Sequence, residues 1–211
     1  MMKAWEIRLL ALLGVVLPVA ACSVKEDRTP CPCVLELEFA GPYLAEAGLA
    51  DLLVFSDEVL VWEDTVDIAR YKSGYSLPVP RTSLHVRAWA GAGGYASDAG
   101  LTIPLGQDCP RVYMHDSDIV AAGEQYHETV TLRKNHCVMK LLTEGEGKIS
   151  SDLILKGNVA GYDSVGGPLR GDFEYLLDDK GLDEGYEAVL PRQTDASLML
   201  MVDDGSGSHK A

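Results

Sequence analysis

The sequence predicts an all-β chain built as two β-sandwich domains. Twenty-one glycines and ten prolines punctuate many short apolar runs. Apolar and polar residues alternate at Leu35-Glu36-Leu37-Glu38-Phe39 and again from Leu84 to Ala90, the period of half-buried strands. No 3.6-residue apolar pattern lasts beyond two turns after residue 21, although Pro42 to Leu53 has room for a short helix. A length of 211 residues allows one large domain or two small ones. With 47% apolar and 24% charged residues, the chain can bury a core.

The N-terminal segment reads as an export signal. Lys3 and Arg8 make a cationic start, and Leu9 to Ala21 runs without a charge. That run is too short to span a bilayer, which takes ~20 apolar residues, but it suits a signal-peptide core. The segment closes Val19-Ala20-Ala21-Cys22. Small residues fit the narrow cleft of a signal peptidase, and the thiol fits a transferase that installs diacylglycerol. This is the bacterial lipobox pattern, with Val19 where leucine is commoner; the alternative is an ordinary secretory signal with an incidental cysteine. Residues 1–21 are therefore expected to be a lipoprotein signal peptide, Cys22 the lipid attachment site, and 22–33 the anchor and tether.

Cleavage would remove Lys3, Arg8 and Glu6 and leave 16 basic against 31 acidic residues. Each buried acyl methylene contributes about 0.8 kcal/mol, so two or three chains on Cys22 hold a protein permanently at a membrane. That covalent lipid is the only non-protein group expected, with no cofactor and no metal. After Cys22 and Ser23-Val24, Lys25-Glu26-Asp27 resembles the surface-export signal of Bacteroidota lipoproteins; a solvated charged tether is the plainer alternative.

Residues 34–132 are expected to form the N-terminal β-sandwich. Strands are predicted at Leu35–Phe39, Leu52–Phe55, Val59–Trp62, Leu84–Ala90, Arg111–Met114 and Glu128–Leu132. Gly91 to Gly94 reads as a flexible turn.

Arg133-Lys134-Asn135 is a polar break, and 133–211 is expected to form the C-terminal β-sandwich. Its candidate strands are Cys137–Leu142, Asp152–Gly157, Gly171–Leu176, Glu187–Leu190 and Ser197–Val202, with turns at Asn158 and Gly166-Gly167-Pro168. The last strand is strongly apolar, and after the Asp203-Asp204-Gly205 turn only Ser208 to Ala211 remain. That leaves an unpaired edge, the mark of a truncated sandwich or of one that accepts a foreign strand.

Candidate chemistry is sparse. Cys31, Cys33, Cys109 and Cys137 are an even set in an oxidising compartment, so they are candidate disulfides. Cys31–Cys33 is the least favourable pairing, and the other two connectivities would tie the N-terminal segment to distant strands. A zinc site from Cys109, His115, His136 and Cys137 is the sharper alternative, but it lacks the usual ligand spacing. His85 and His127 are expected to face solvent. Asp57, Glu58, Glu63, Asp64 and Asp67 crowd one hairpin without the spacing of a calcium loop and read as a solvated face. No nucleophile elbow, phosphate loop, zinc-protease motif or dinucleotide fingerprint occurs, so no enzyme is predicted. A net charge of −14, from 18 basic and 32 acidic residues, argues against a nucleic-acid partner.

The order of several landmarks carries a resemblance. Glu26-Asp27-Arg28-Thr29-Pro30-Cys31-Pro32-Cys33 leads into the first strand. Leu53-Val54-Phe55, Tyr75-Ser76-Leu77-Pro78-Val79-Pro80 and Val86-Arg87-Ala88-Trp89-Ala90-Gly91 follow. From the signal segment to about residue 202 the chain resembles the FimB/Mfa2 family of fimbrial anchor lipoproteins of Bacteroidales. The resemblance implies two transthyretin-like β-sandwich domains, with the second here short of the family's usual length. It implies an accessory subunit of a type V fimbria, held in the outer membrane through its lipid, sitting at the pilus base and limiting its growth. The implied partners are fimbrial shaft subunits, joined by strand exchange. A surface glycan-binding lipoprotein of a polysaccharide-uptake system is the rival reading. It is weakened by an aromatic content of 7% and by Trp62 and Trp89 lying within predicted core strands.

Overall fold

A computed structural model describes residues 31–97, 99–142, 152–177, 185–203 and 208–210. Cys22 and Lys25-Glu26-Asp27 lie outside the described residues. The chain runs through β1 (Cys33–Ala40), a single helical turn α1 (Leu44–Ala47), β2 (Leu49–Ser56), β3 (Val59–Asp67), β4 (Tyr75–Val79) and β5 (Ser83–Ala90). Next come β6 (Ala96–Ser97), β7 (Gly100–Thr102), β8 (Tyr113–Val120), β9 (Gln125–Thr131), β10 (Arg133–Lys134) and β11 (His136–Leu141). The rest is β12 (Asp152–Asp163), β13 (Pro168–Leu176), β14 (Tyr186–Pro191), β15 (Met199–Asp203) and β16 (Ser208–Lys210). The fold is all-β, as the alternation predicts.

The first sandwich packs a three-stranded sheet, β4-β1-β9, against a five-stranded one, β10-β8-β5-β2-β3. β1 is the middle strand, antiparallel to β4 and parallel to β9. Its alternation is realised in full: Cys33, Leu35, Leu37 and Phe39 are buried, while Glu36 faces out to an ion pair with His127 at 2.9 Å. Val54, Val86, Ala88, Ile119 and Val130 complete that core. β4 escapes the sequence pattern because it holds Pro78. As an edge strand, β4 tolerates a residue that cannot donate to a ladder. The expected helix over 42–53 shrinks to α1, because β2 starts at Leu49, directly after Gly48.

The second sandwich is not the contiguous 133–211 segment expected. At Gly91 the chain leaves the first sheet, and 92–112 packs into the second core through Ala92, Leu101, Ile103, Cys109 and Val112. Gly91 has φ +74°, and a Cβ there would lie 2.2 Å from the Arg111 carbonyl oxygen, so the departing and returning chains touch backbone to backbone. The supposed flexible turn is thus a fixed branch point, and the predicted strand at 111 begins only at Tyr113.

β7 joins the end of β12, where Gly161 allows close approach; a Cβ there would overlap the Leu101 carbonyl. β13 runs along one side of β12, while β15 and β7 share the other. The expected turn at Asn158 is instead an irregular stretch within β12, with register shifts at Gly157/Val159 and Val159/Gly161. Opposite lies the two-stranded sheet β11-β14.

Candidate functional site

The second sandwich is covered unevenly. Leu153, Leu155, Tyr162, Phe173, Ala188 and Leu190 are buried at its centre. Along its margin Val138, Met139 and Leu141 of β11, with Leu198, Leu200 and Val202 around β15, pack against that core only half-buried.

The backbone along this margin is asymmetric. Val189 of β14 donates its N–H to Asp108 Oδ1 at 2.8 Å, and its carbonyl accepts the Cys109 N–H at 3.0 Å. One edge of β14 is therefore closed by a loop, and β11 lies along the other. Val138 stands opposite Val189. By the alternation of an antiparallel ladder, its N–H and C=O point away from β14, as do those of Lys140. No described strand pairs with that outer edge of β11. On the facing sheet, β16 pairs with Met201, Val202 and Asp203, so the expectation of a wholly unpaired last strand is corrected. The arrangement offers unused backbone groups beside half-buried apolar side chains, which is what an added strand requires.

Side chains at the base of β11 are held fixed by hydrogen bonds and ring packing. His136 is buried, bonds the Val112 carbonyl through Nδ1 at 3.0 Å, and meets the Tyr113 ring edge-on at 5.2 Å. Burial, with Lys134 and Arg111 nearby, keeps its pKa below the usual imidazole value. Tyr162 hydrogen-bonds the Asn135 carbonyl and accepts the Arg192 N–H at 2.8 Å; burial raises its phenol. The Cys109 thiol is pushed up to about 12 by burial, which removes it as a nucleophile.

The disulfide expectation is corrected, since Cys31, Cys33, Cys109 and Cys137 are all free thiols. Cys33 is sealed in the first core and Cys109 in the second. Cys137 and the Cys109 backbone flank opposite edges of β14, about 10 Å apart by two strand spacings, beyond the reach of a disulfide. Among the described residues no group of three His, Cys, Asp or Glu is placed to hold a metal. The acidic hairpin does not converge either. Asp64 accepts the Tyr75 hydroxyl, and Asp67 accepts the backbone N–H groups of Ala69 and Arg70.

One cluster escaped sequence reasoning. Arg87, 2% exposed, lies over the Trp89 ring at 4.6 Å and the Phe55 ring at 5.4 Å, and donates to the Ser97 carbonyl at 3.0 Å. Trp89 Nε1 donates to Asp116 Oδ2 at 3.0 Å. His85 is not solvent-facing as expected: Nδ1 meets Asp118 at 2.9 Å, and Nε2 lies 3.6 Å from Asp116. By alternation this face of β5 should meet water, but the 92–112 excursion covers it. The available signal was three large side chains, His85, Arg87 and Trp89, on the face that alternation assigns to solvent. His127 does face solvent, beside Glu36.

No family model matches the chain, and no curated protein matches it by sequence. Solved structures do. A candidate polysaccharide-binding protein from Bacteroides thetaiotaomicron superposes with a TM-score of 0.60 at 14% identity, covering 83% of this chain and 78% of that one. A candidate adhesin from Bacteroides ovatus gives 0.58 at 16% identity, covering 89% and 76%. The fimbrial anchor protein Mfa2 from Porphyromonas gingivalis gives 0.57 at 13% identity, covering 82% and 78%. The chain shares their fold. The resemblance drawn from the landmark residues therefore extends to three dimensions.

Proposed function

We propose that this chain is an anchor or accessory subunit of a type V fimbria, a lipoprotein held in the outer membrane by Cys22. In this reading its second sandwich takes a strand from a shaft subunit along β11, and Lys25-Glu26-Asp27 directs it to the cell surface. The lipid then fixes one end of the assembly at the base of the pilus and stops further addition there, which limits its length. The observation that carries the reading is the outer edge of β11, unpaired by any described strand and lined by Val138, Met139 and Leu141. A fold shared with a fimbrial anchor and a candidate adhesin supports it. The lipobox at Cys22 supplies the tether the role needs. The glycan-binding reading is weaker, because every described tryptophan, tyrosine and phenylalanine is buried or half-buried and no ring platform is presented.

A backbone substitution separates edge from interior. Val138→Pro removes an N–H that points away from β14, so the purified protein should keep its fold while losing association with shaft subunits. Met139→Pro removes a donor to β14 and should destabilise the protein itself. Fimbriae that remain attached and of normal length in a Val138→Pro strain would overturn the strand-addition reading. Cys22→Ala should move the protein out of the membrane fraction and abolish lipid labelling; persistent labelling would refute the anchor.

A further inference from the structure

A cleft of about 910 Å³ opens where the outer face of the five-stranded sheet meets the turns of the second sandwich. The half-buried Phe55 and Leu60 line it, over the backbone of Leu84 and Ile119, whose side chains turn inward to the first core. Asp57 and Glu58 of the β2–β3 turn and Asp118 of β8 supply carboxylates at its rim. Among the described lining residues the only basic side chain is His85, already engaged by Asp118.

Two further features make this cleft more than an acidic surface. Val120 and Val165 line it from different sandwiches, yet they are 62% and 58% exposed. Aliphatic side chains left in water inside a charged rim have the anatomy of a recognition patch. The turn that presents Asp57 and Glu58 holds both in left-handed conformations, φ 48° and 65°. Both carboxylates thus project from a tight two-residue hairpin turn.

We propose that this cleft binds a polypeptide segment of a partner protein carrying a lysine or arginine flanked by aliphatic residues. The charge pattern selects a cation, and the net charge of −14 draws a basic partner from a distance. The aliphatic walls select apolar neighbours for that cation. A metal ion is disfavoured because no described group of three ligands converges. A sugar ring is disfavoured because the Phe55 face is already covered by the Arg87 guanidinium. The proposal uses neither the β11 edge nor Cys22, so it stands or falls separately from the fimbrial reading.

The test is fluorescence anisotropy with the full chain in detergent micelles. One labelled probe has the sequence Leu-Lys-Val-Arg-Leu; the other carries glutamate at both charged positions. The basic probe should bind saturably and more weakly as ionic strength rises, and the acidic one should not bind. Neutralising the rim with Asp57→Asn, Glu58→Gln and Asp118→Asn together should weaken binding roughly tenfold. Val120→Ser with Val165→Ser should weaken it severalfold, with circular dichroism unchanged in both variants. Absence of saturable binding, equal binding of the acidic probe, or an unchanged triple variant would overturn the proposal. Stoichiometric displacement of the basic probe by calcium would overturn it in favour of a metal site.

Discussion

The two sandwiches are built from the same strand alternation, yet one is closed and the other open. In the first, β1 lies between two partners and five strands cover its inward face, so Leu35, Leu37 and Phe39 are at most 1% exposed. In the second, β11 and β14 are the only described strands of the layer opposite β12, with the 92–112 segment beside them, and Val138, Met139, Leu141 and Leu200 stay half-buried. The apolar content of the strands does not differ in kind. What differs is how many strands the second layer holds, so openness follows from topology rather than from composition.

The contrast can be tested by truncating one side chain on each side of it. Leu37→Ala in the closed core should cost about 3–5 kcal/mol, whereas Leu200→Ala on the open margin should cost about 1 kcal/mol. Denaturant unfolding of the two variants measures both; equal losses would mean the second sandwich is as tightly covered as the first. A smaller effect is expected at the covered face of β5. Trp89→Phe keeps the ring over Arg87 but loses the hydrogen bond to Asp116, at a cost of about 1.5–3 kcal/mol for a bond to a charged group. If unfolding stays cooperative and unshifted in that variant, this face does not couple the sandwiches.

The smallest effect is a pH dependence from the same face. The neighbouring carboxylates of Asp116 and then Asp118 raise the pKa of His85 above its ordinary value of 6.5, against the opposing effect of burial. Because the folded value is the higher one, the stabilisation is fully present below the unfolded pKa and is lost as pH rises through the folded pKa. Asp116 and Asp118 face the imidazole from β8, and Arg87 shares its strand. Melting temperatures of the wild type and His85→Gln should therefore differ most in mild acid and converge in alkali. A constant difference across that range would remove His85 from the account.

Much of the first sandwich was legible because its signals are local. The alternation in β1, the apolar run of β2 and the inward series Leu84, Val86, Ala88 depend only on neighbours in sequence. β4 was hidden by Pro78, which argues against a central strand but is compatible with an edge. Asn158 looked like a turn because irregular pairing and a true reversal favour similar residues, and only the pairing of β12 with β13 separates them. The 92–112 excursion and the Phe55–Arg87–Trp89 stack were not legible, since both come from contacts between segments distant in sequence. The β11 edge was half legible. The apolar run Ser197–Val202 points to an open edge in the second sandwich, but at the last strand, which β16 partly covers.

On the proposed reading, in which Cys22 carries the lipid, the position of β1 has a mechanical consequence. Five register pairs tie this strand to β4 and seven tie it to β9. Tension applied ahead of Cys33 and directed along the strand strains both rows together, in shear, instead of peeling them apart in turn. Extraction would also have to drag Leu35, Leu37 and Phe39 out of the hydrophobic interior in one concerted slip. A sandwich threaded this way is suited to carry a pulling load that enters through its first strand.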